Sequence, residues 1–219
     1  MLALAKREPS LLLLSAQLAA VLAYPFMIDN DVGRALFSVF GIAILGLVVL
    51  AVRSTPGLNG VTILLGIPAC VLLIIQAVSG SDELLPYSSA FEAALYFYAA
   101  GAMIAYMLED QRVTRDELFA IGATFTLVAW AFAYTYVVCQ AIYPGSFTAA
   151  TDPKAARDWM ELLFLSFSTL SSTGIGDVVP IRPFARGLVM FEMIAGVAYL
   201  TVVVSRLVAL TVMRPERLR

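Results

Sequence analysis

The chain has 219 residues, of which 61% are apolar and only 14% are charged, and its formal net charge is −2. Soluble globular domains have roughly 45–50% apolar and about 25% charged residues. A soluble fold of this size could not bury so much apolar surface, so the composition predicts an integral membrane protein. The near-neutral charge also excludes the basic surface that nucleic-acid binding requires, and no nucleic-acid partner is expected.

Apolar runs of about 20 residues predict membrane-spanning helices. The sequence contains six such runs, separated by short polar connections: 10–28, 35–52, 59–79, 87–108, 117–143 and 185–212. With the N-terminus in the cytoplasm, nine Lys and Arg residues fall inside and five fall outside, as the positive-inside bias favours. We therefore expect a multi-pass protein of the plasma (cell inner) membrane with both termini in the cytoplasm.

The segment between the fifth and sixth predicted spans is amphipathic. Asp152 followed by Pro153 is a typical helix start, and Asp158 with Glu161 predicts a second short helix that runs to about Leu170. If this second helix dips into the bilayer, its C-terminal carbonyls point toward the bilayer centre. Their partial negative charge would stabilise a cation there.

The next stretch, residues 168–177, reads Ser-Thr-Leu-Ser-Ser-Thr-Gly-Ile-Gly-Asp, which is a poor sequence for a lipid-facing helix. Gly174 and Gly176 permit backbone conformations that a Cβ would forbid. Glycines that alternate with other residues let successive carbonyls face one side, where they replace the hydration shell of a cation. The Ser172 hydroxyl can add oxygens at the inner end. Because one chain supplies only one wall, the pattern predicts four copies around an axis.

This stretch resembles the pore loop of the potassium-channel superfamily, whose usual pattern is Thr-x-Gly-Tyr-Gly-Asp. The resemblance implies an all-α membrane protein with six transmembrane helices, a re-entrant pore helix and selectivity filter between helices five and six, and a tetrameric pore. It implies four parts of the chain: a cytoplasmic N-terminus (1–9), a four-helix non-pore membrane domain (10–116), a pore domain (117–213) and a short cytoplasmic tail (214–219).

Matched by position, five consecutive residues correspond to the ion-binding selectivity filter: Ser172, Thr173, Gly174, Ile175 and Gly176. The resemblance implies that the first four of them bind the permeant K+. Two later residues correspond to the filter support and the outer mouth: Asp177 and Pro180. Thr173 and Ile175 replace the family's usual valine and tyrosine, and isoleucine cannot donate the hydrogen bond of a tyrosine hydroxyl.

The sixth span contains the residues expected to form the hinge and the gate. Gly196 lies twenty residues beyond Gly176, where the family often has the hinge glycine, although a close helix contact is an equal alternative. Counting on by fours gives Leu200, Val204 and Val208, which form either a hydrophobic gate or an ordinary packing stripe. Glu192 either holds the inner helix through hydrogen bonds or tunes the field of the pore.

Other features bear on regulation and chemistry. The fourth span has no Lys or Arg, so it lacks the charges of a voltage sensor. Glu92 in that span is either near water or functional, and Arg206 is expected to snorkel to lipid headgroups. The chain has no histidine, and Cys70 and Cys139 are expected to be buried packing residues. No cofactor is expected apart from permeant K+.

The resemblance implies a passive, potassium-selective cation channel rather than an enzyme, with copies of itself, membrane lipids and potassium ions as partners. A non-selective or sodium-permeable channel of the same fold is the alternative. A remote alternative is an intramembrane aspartyl protease, because residues 174–177 also spell its Gly-x-Gly-Asp signature. That chemistry needs two carboxylates that share a water, whereas the other aspartates lie in or beside the polar connections.

Overall fold

The computed structural model of the protein describes residues 8–27, 39–48, 59–79, 82–109 and 115–212. In these ranges the chain forms seven α-helices: α1 (Pro9–Met27), α2 (Val39–Val48), α3 (Asn59–Ser79), α4 (Leu85–Glu109), α5 (Arg115–Ile142), α6 (Trp159–Leu170) and α7 (Pro183–Val212). A 3-10 turn, Asp82–Leu84, leads into α4. Two short strands, β1 (Phe147–Thr148) and β2 (Val179–Pro180), pair antiparallel.

Five helices of the described ranges are long and apolar enough to cross a bilayer: α1, α3, α4, α5 and α7. The shorter helix α2 lies inside the second predicted span, and the rest of that span, 35–38 and 49–52, lies outside the described residues. The same holds for the predicted tail, 214–219, and for residues 1–7. The expected helical, multi-pass membrane architecture is confirmed, whereas the count of six spans stays a prediction.

Helix α5 is the centre of the packing. It contacts α1, α4, α6 and α7, while α3 packs on α4. The helix can approach so many neighbours because small residues on several of its faces are buried: Ala120, Ala123, Ala129, Ala131 and Ala133. Small side chains let helix backbones come close together, which is the main source of packing energy between helices in a bilayer.

Large apolar side chains remain exposed on the outer helices and on α7. Leu22 of α1 and Leu64 of α3 are 74% and 70% exposed, and Phe191 of α7 is 69% exposed. Such surfaces are costly in water but not in hydrocarbon. The exposed faces of α1 and α3 therefore suit contact with lipid.

Candidate functional site

Helix α6 begins where the acids at its start predicted. The Asp158 side chain accepts a hydrogen bond from the backbone N–H of Glu161 at 2.8 Å, and the Glu161 carboxylate accepts one from the backbone N–H of Asp158 at 2.8 Å. This reciprocal pair is a capping box, which satisfies two N–H groups that a helix start would otherwise leave unpaired. The predicted helix over 158–170 is confirmed.

The predicted helix start at Asp152 and Pro153 is wrong. Residues 151–155 form turns and bends, and Asp152 has φ of 48°, outside the helical region. The buried Arg157 side chain donates to the carbonyl oxygens of Asp152 at 2.6 Å, Ala155 at 2.7 Å and Thr151 at 3.3 Å. Because these carbonyls point at one guanidinium, they cannot form the parallel array of a helix.

The C-terminal end of α6 lies about halfway along its two neighbours. The Ser166 hydroxyl is 2.8 Å from the carbonyl oxygen of Ala129, which lies thirteen residues before the end of α5. A Cβ on Gly196 would be 2.2 Å from the Leu170 carbonyl oxygen, and Gly196 lies thirteen residues after the start of α7. Thirteen helical residues span about 20 Å. Helix α6 therefore ends near the middle depth of α5 and α7.

This geometry shows the close helix contact at Gly196, whereas the hinge stays a prediction. The hypothetical Cβ would also be 2.9 Å and 3.0 Å from the carbonyl carbon and Cα of Leu170. Real Cβ atoms essentially never approach other atoms below 3.0 Å. Only glycine fits here, because the backbone of α6 occupies the space of a side chain.

A Schellman motif with Ser172 in the left-handed region, at φ of 58°, ends α6. The backbone N–H of Thr173 donates to Ser168 O at 3.0 Å, and that of Ser172 donates to Thr169 O at 3.0 Å. This is the usual pair of bonds of the motif, in which glycine normally takes the left-handed position. The left-handed conformation costs a serine roughly 1–2 kcal/mol. The hydrogen bonds to the end of α6 therefore hold this turn against the conformational preference of Ser172 itself.

The predicted filter residues follow directly as a non-helical, exposed loop. Residues 171–177 are all exposed. Gly174 has φ of 70°, so positive φ values at 172 and 174 alternate with ordinary ones at 173 and 175. The hydroxyls of Ser171 and Thr173 lie 2.7 Å apart. In the single subunit, this loop forms a strip of accessible backbone between α6 and α7.

The chain leaves the loop through a fixed connection. Asp177 is exposed and Val178 is buried, and Pro180 pairs with Phe147 in the short sheet. The Pro180 carbonyl also accepts a hydrogen bond from Arg186 Nε at 3.2 Å. The predicted outer-mouth residue is thus tied both to the α5–α6 connection and to the start of α7.

Glu192 is completely buried at the junction of three helices. Tyr136 of α5 donates a hydrogen bond to Glu192 Oε2, and the Ser166 hydroxyl of α6 contacts Glu192 Oε1. Sequence reasoning proposed Glu192 as a structural or a pore-tuning acid but did not identify its partners. A serine inside the apolar run 162–167 and a tyrosine within the fifth span were the available signals. The contacts favour the structural alternative.

The predicted gate residues share an exposed face of α7. Leu200 is 41% exposed, and Val204 and Val208 are each 57% exposed. Tyr199, next to Leu200, instead faces inward and donates to Ile121 O at 2.6 Å. The stripe is therefore not an intrasubunit packing surface, and it is free to face other copies of the chain or a pore.

Two charged residues differ from expectation. Glu92 is 1% exposed, so it is not close to water as one alternative had it, and it lies beside Tyr134 in the α4–α5 contact. Arg206 is partly buried and lies 3.4 Å from Glu117 Oε2. It therefore pairs with a protein carboxylate, which the simple snorkelling expectation did not include. An apolar sequence context does not reveal such partners, since they come from another helix.

Cys139 is buried, as predicted, whereas Cys70 is only partly buried. Among the residues that the structure describes, no group of three or more His, Cys, Asp or Glu side chains could hold a metal ion.

The model of a family described as "Ion channel" matches residues 118–213. The match covers nearly all of α5 and the whole of α6, the loop and α7, and it confirms the resemblance to the potassium-channel superfamily in this part of the chain. No curated protein and no solved structure matches the chain. The protein is a multi-pass membrane protein with an ion channel domain.

Proposed function

Because residues 118–213 form an ion channel domain, we propose that four copies of this protein form a passive cation channel that selects potassium. The observation that carries the proposal is the exposed, non-helical backbone of residues 171–177, which follows a helix that ends at the middle depth of α5 and α7. No covalent chemistry is involved, and ions move down their electrochemical gradient.

The depth of this loop is the first support. Non-helical backbone is tolerated within a bilayer only where it is buried in protein or lines a water-filled path. Residues 171–177 are exposed in the single subunit, so lipid cannot be their environment. Copies of the chain around a common axis would enclose the loops and leave a narrow aqueous path between them. In this arrangement α6 is the pore helix and α7 is the inner helix.

The chemistry of the loop is the second support. Carbonyl oxygens of Ser172, Thr173, Gly174 and Ile175 from four subunits would form successive rings that replace the hydration shell of K+, and Gly176 would complete the filter. Positive φ values at Ser172 and Gly174 alternate with ordinary ones at 173 and 175, which supports an arrangement in which successive carbonyls face the same side. The C-terminal dipole of α6 adds partial negative charge at the inner end of this path.

The surrounding residues have supporting roles in this proposal. Asp177 and Pro180 hold the outer mouth, and Glu192 holds the inner helix against the pore helix. The exposed stripe Leu200, Val204 and Val208 would line the inner pore and close it by dewetting.

The remaining parts of the chain keep their predicted arrangement in the proposal. Residues 1–9 and 214–219 are cytoplasmic, 10–116 form a four-helix non-pore domain, and 117–213 form the pore domain. The protein spans the plasma membrane six times. The described helix α4, which takes the position of a voltage sensor, has no Lys or Arg, so gating by movement of this helix in the membrane field is not part of the proposal.

The test is the reversal potential of the purified protein in a planar bilayer with potassium on one side and sodium on the other. A selective filter gives a reversal near the potassium equilibrium potential. A reversal near zero with measurable current would replace this proposal with the non-selective or sodium-permeable channel. The absence of current from correctly assembled protein at all voltages would contradict the channel itself.

A matched pair of variants shows whether the loop carries the current. Gly174 and Gly145 have almost the same φ, 70° and 72°, and a Cβ on either would meet no atom closer than 4.0 Å. Replacing either by alanine therefore adds a similar backbone strain of roughly 1–2 kcal/mol. Gly174→Ala should abolish or reshape the selective current, whereas Gly145→Ala in the turn after α5 should leave the reversal potential unchanged.

A further inference from the structure

An apolar cavity of about 370 Å³ lies between α4, α5 and α7. Its size falls at the lower end of the range of ligand pockets, roughly 300–1,000 Å³. Several residues of its wall are exposed on the outside of the subunit, including Phe97 at 39%, Leu108 at 52% and Val202 at 42%. The cavity is therefore open at the surface of the single subunit.

One end of the cavity is charged and the rest is apolar. Glu117 and Arg206 both line it, and their side chains form an ion pair of 3.4 Å. Glu117 lies in the first turn of α5 and Arg206 lies near the end of α7, so both belong to the same side of the membrane. Leu108, at the end of α4, brings the third helix to this level.

The cavity extends from this charged end to about the middle of the bilayer. On α7 its lining runs from Arg206 to Ala195, and on α4 from Leu108 to Phe97. Eleven helical residues span about 16 Å, which is close to half of the roughly 30 Å hydrocarbon core. This is the depth of one leaflet, with a charge at the interface and hydrocarbon below it.

We propose that the cavity binds one acyl chain of a membrane glycerophospholipid, with the lipid phosphate on the Arg206 guanidinium. A guanidinium has five N–H donors in a planar fork, enough to serve Glu117 and a phosphate together, and it matches phosphate geometry well. Glu117 holds the guanidinium at the mouth of the cavity. The acyl chain lies along the inner helix α7, where its presence supports the position of that helix.

Binding of the acyl chain can be tested with a substitution that fills the cavity and with a matched control outside it. Gly101 lines the cavity, and a Cβ there would meet nothing within 4 Å, as would a Cβ on the helical Gly46, which is outside the cavity. Gly101→Leu should fill the space and weaken lipid binding by at least about tenfold, since each buried methylene contributes to affinity. Gly46→Leu should bind as the wild type does.

The headgroup contact needs a variant that leaves no buried charge unpaired. Replacing Arg206 alone would strand the Glu117 carboxylate, so the double variant Glu117→Gln/Arg206→Gln is preferred. It should bind dioleoyl phosphatidylglycerol at least about tenfold more weakly, while its binding of dioleoylglycerol, which has no phosphate, should be unchanged.

Native mass spectrometry of the detergent-purified protein measures both lipids, and gel filtration checks that each variant is assembled. The proposal expects one phospholipid per subunit in the wild type and in Gly46→Leu. Equal binding by Gly101→Leu would place the lipid elsewhere and overturn the acyl site. Equal phospholipid binding by the double variant would overturn the headgroup contact. Retention of detergent alone in the wild type would overturn the whole assignment. None of these readouts depends on ion conduction.

Discussion

Replacing Gly196 by alanine would test the contact that positions the proposed filter. The added methyl group would lie 2.2 Å from the carbonyl oxygen of Leu170, the last residue of α6. Ordinary van der Waals contact begins at 3.4 Å, so α6 and α7 would have to separate by about 1 Å. The obstructing atoms belong to the backbone and cannot move aside by a change of rotamer. The displaced segment leads directly into the exposed loop.

The expected change in folding stability of Gly196→Ala follows from two opposing effects. Overpacking of a well-packed contact costs typically 1–3 kcal/mol, and the upper value applies where backbone meets backbone. Alanine in place of glycine returns about 1 kcal/mol through helix propensity. We therefore expect a net destabilisation of about 2 kcal/mol per subunit, or about a thirtyfold change in the folding equilibrium constant.

The assay is a denaturant titration of the purified protein, combined with the reversal-potential measurement. Gly187 is the control, because it lies on the same helix and a Cβ there would meet nothing within 4 Å. Gly187→Ala should be neutral or slightly stabilising, whereas Gly196→Ala should lose stability and discriminate less between potassium and sodium. If Gly196→Ala is as stable as Gly187→Ala and conducts as the wild type does, the close contact does not position the loop.

Three further substitutions test individual contacts. Glu192→Leu removes the acceptor of the Tyr136 hydroxyl and should cost roughly 1–3 kcal/mol for that hydroxyl left unpaired, while the Ser166 hydroxyl can still donate to Ala129 O. Glu192→Gln can still accept and donate and should stay within about 1 kcal/mol of the wild type; equal denaturation midpoints would contradict the structural role. Arg157→Lys loses the planar fork that holds three carbonyls and should speed limited proteolysis of the α5–α6 connection, and an unchanged cleavage rate would refute that role. Tyr199→Phe loses the 2.6 Å hydrogen bond to α5 and should lower the unfolding free energy by about 1 kcal/mol; no change in a denaturant titration would mean that this bond contributes nothing.

The pattern of apolar runs was sufficient to predict the membrane architecture, because a bilayer requires long apolar helices whatever their neighbours are. The short helix before the loop was also predictable, since the acids at its start act locally on its own backbone. The same reasoning failed at Asp152, where a buried Arg157 from five residues further along redirects the carbonyls. A helix cap can be identified from the residues next to it in the sequence. The contacts of a side chain that folds back over a turn, as Arg157 does, cannot be identified in that way.

The tertiary structure decided the contacts of residues whose partners lie on other helices. The close contact of Gly196 is with Leu170 of another helix, and the partners of Glu192 are 26 and 56 positions away in the chain. The cavity beside Arg206 belongs to three helices at once. In each case the periodicity of the sequence determines which residues share one face of a helix. The surface that this face meets depends on how the whole bundle packs.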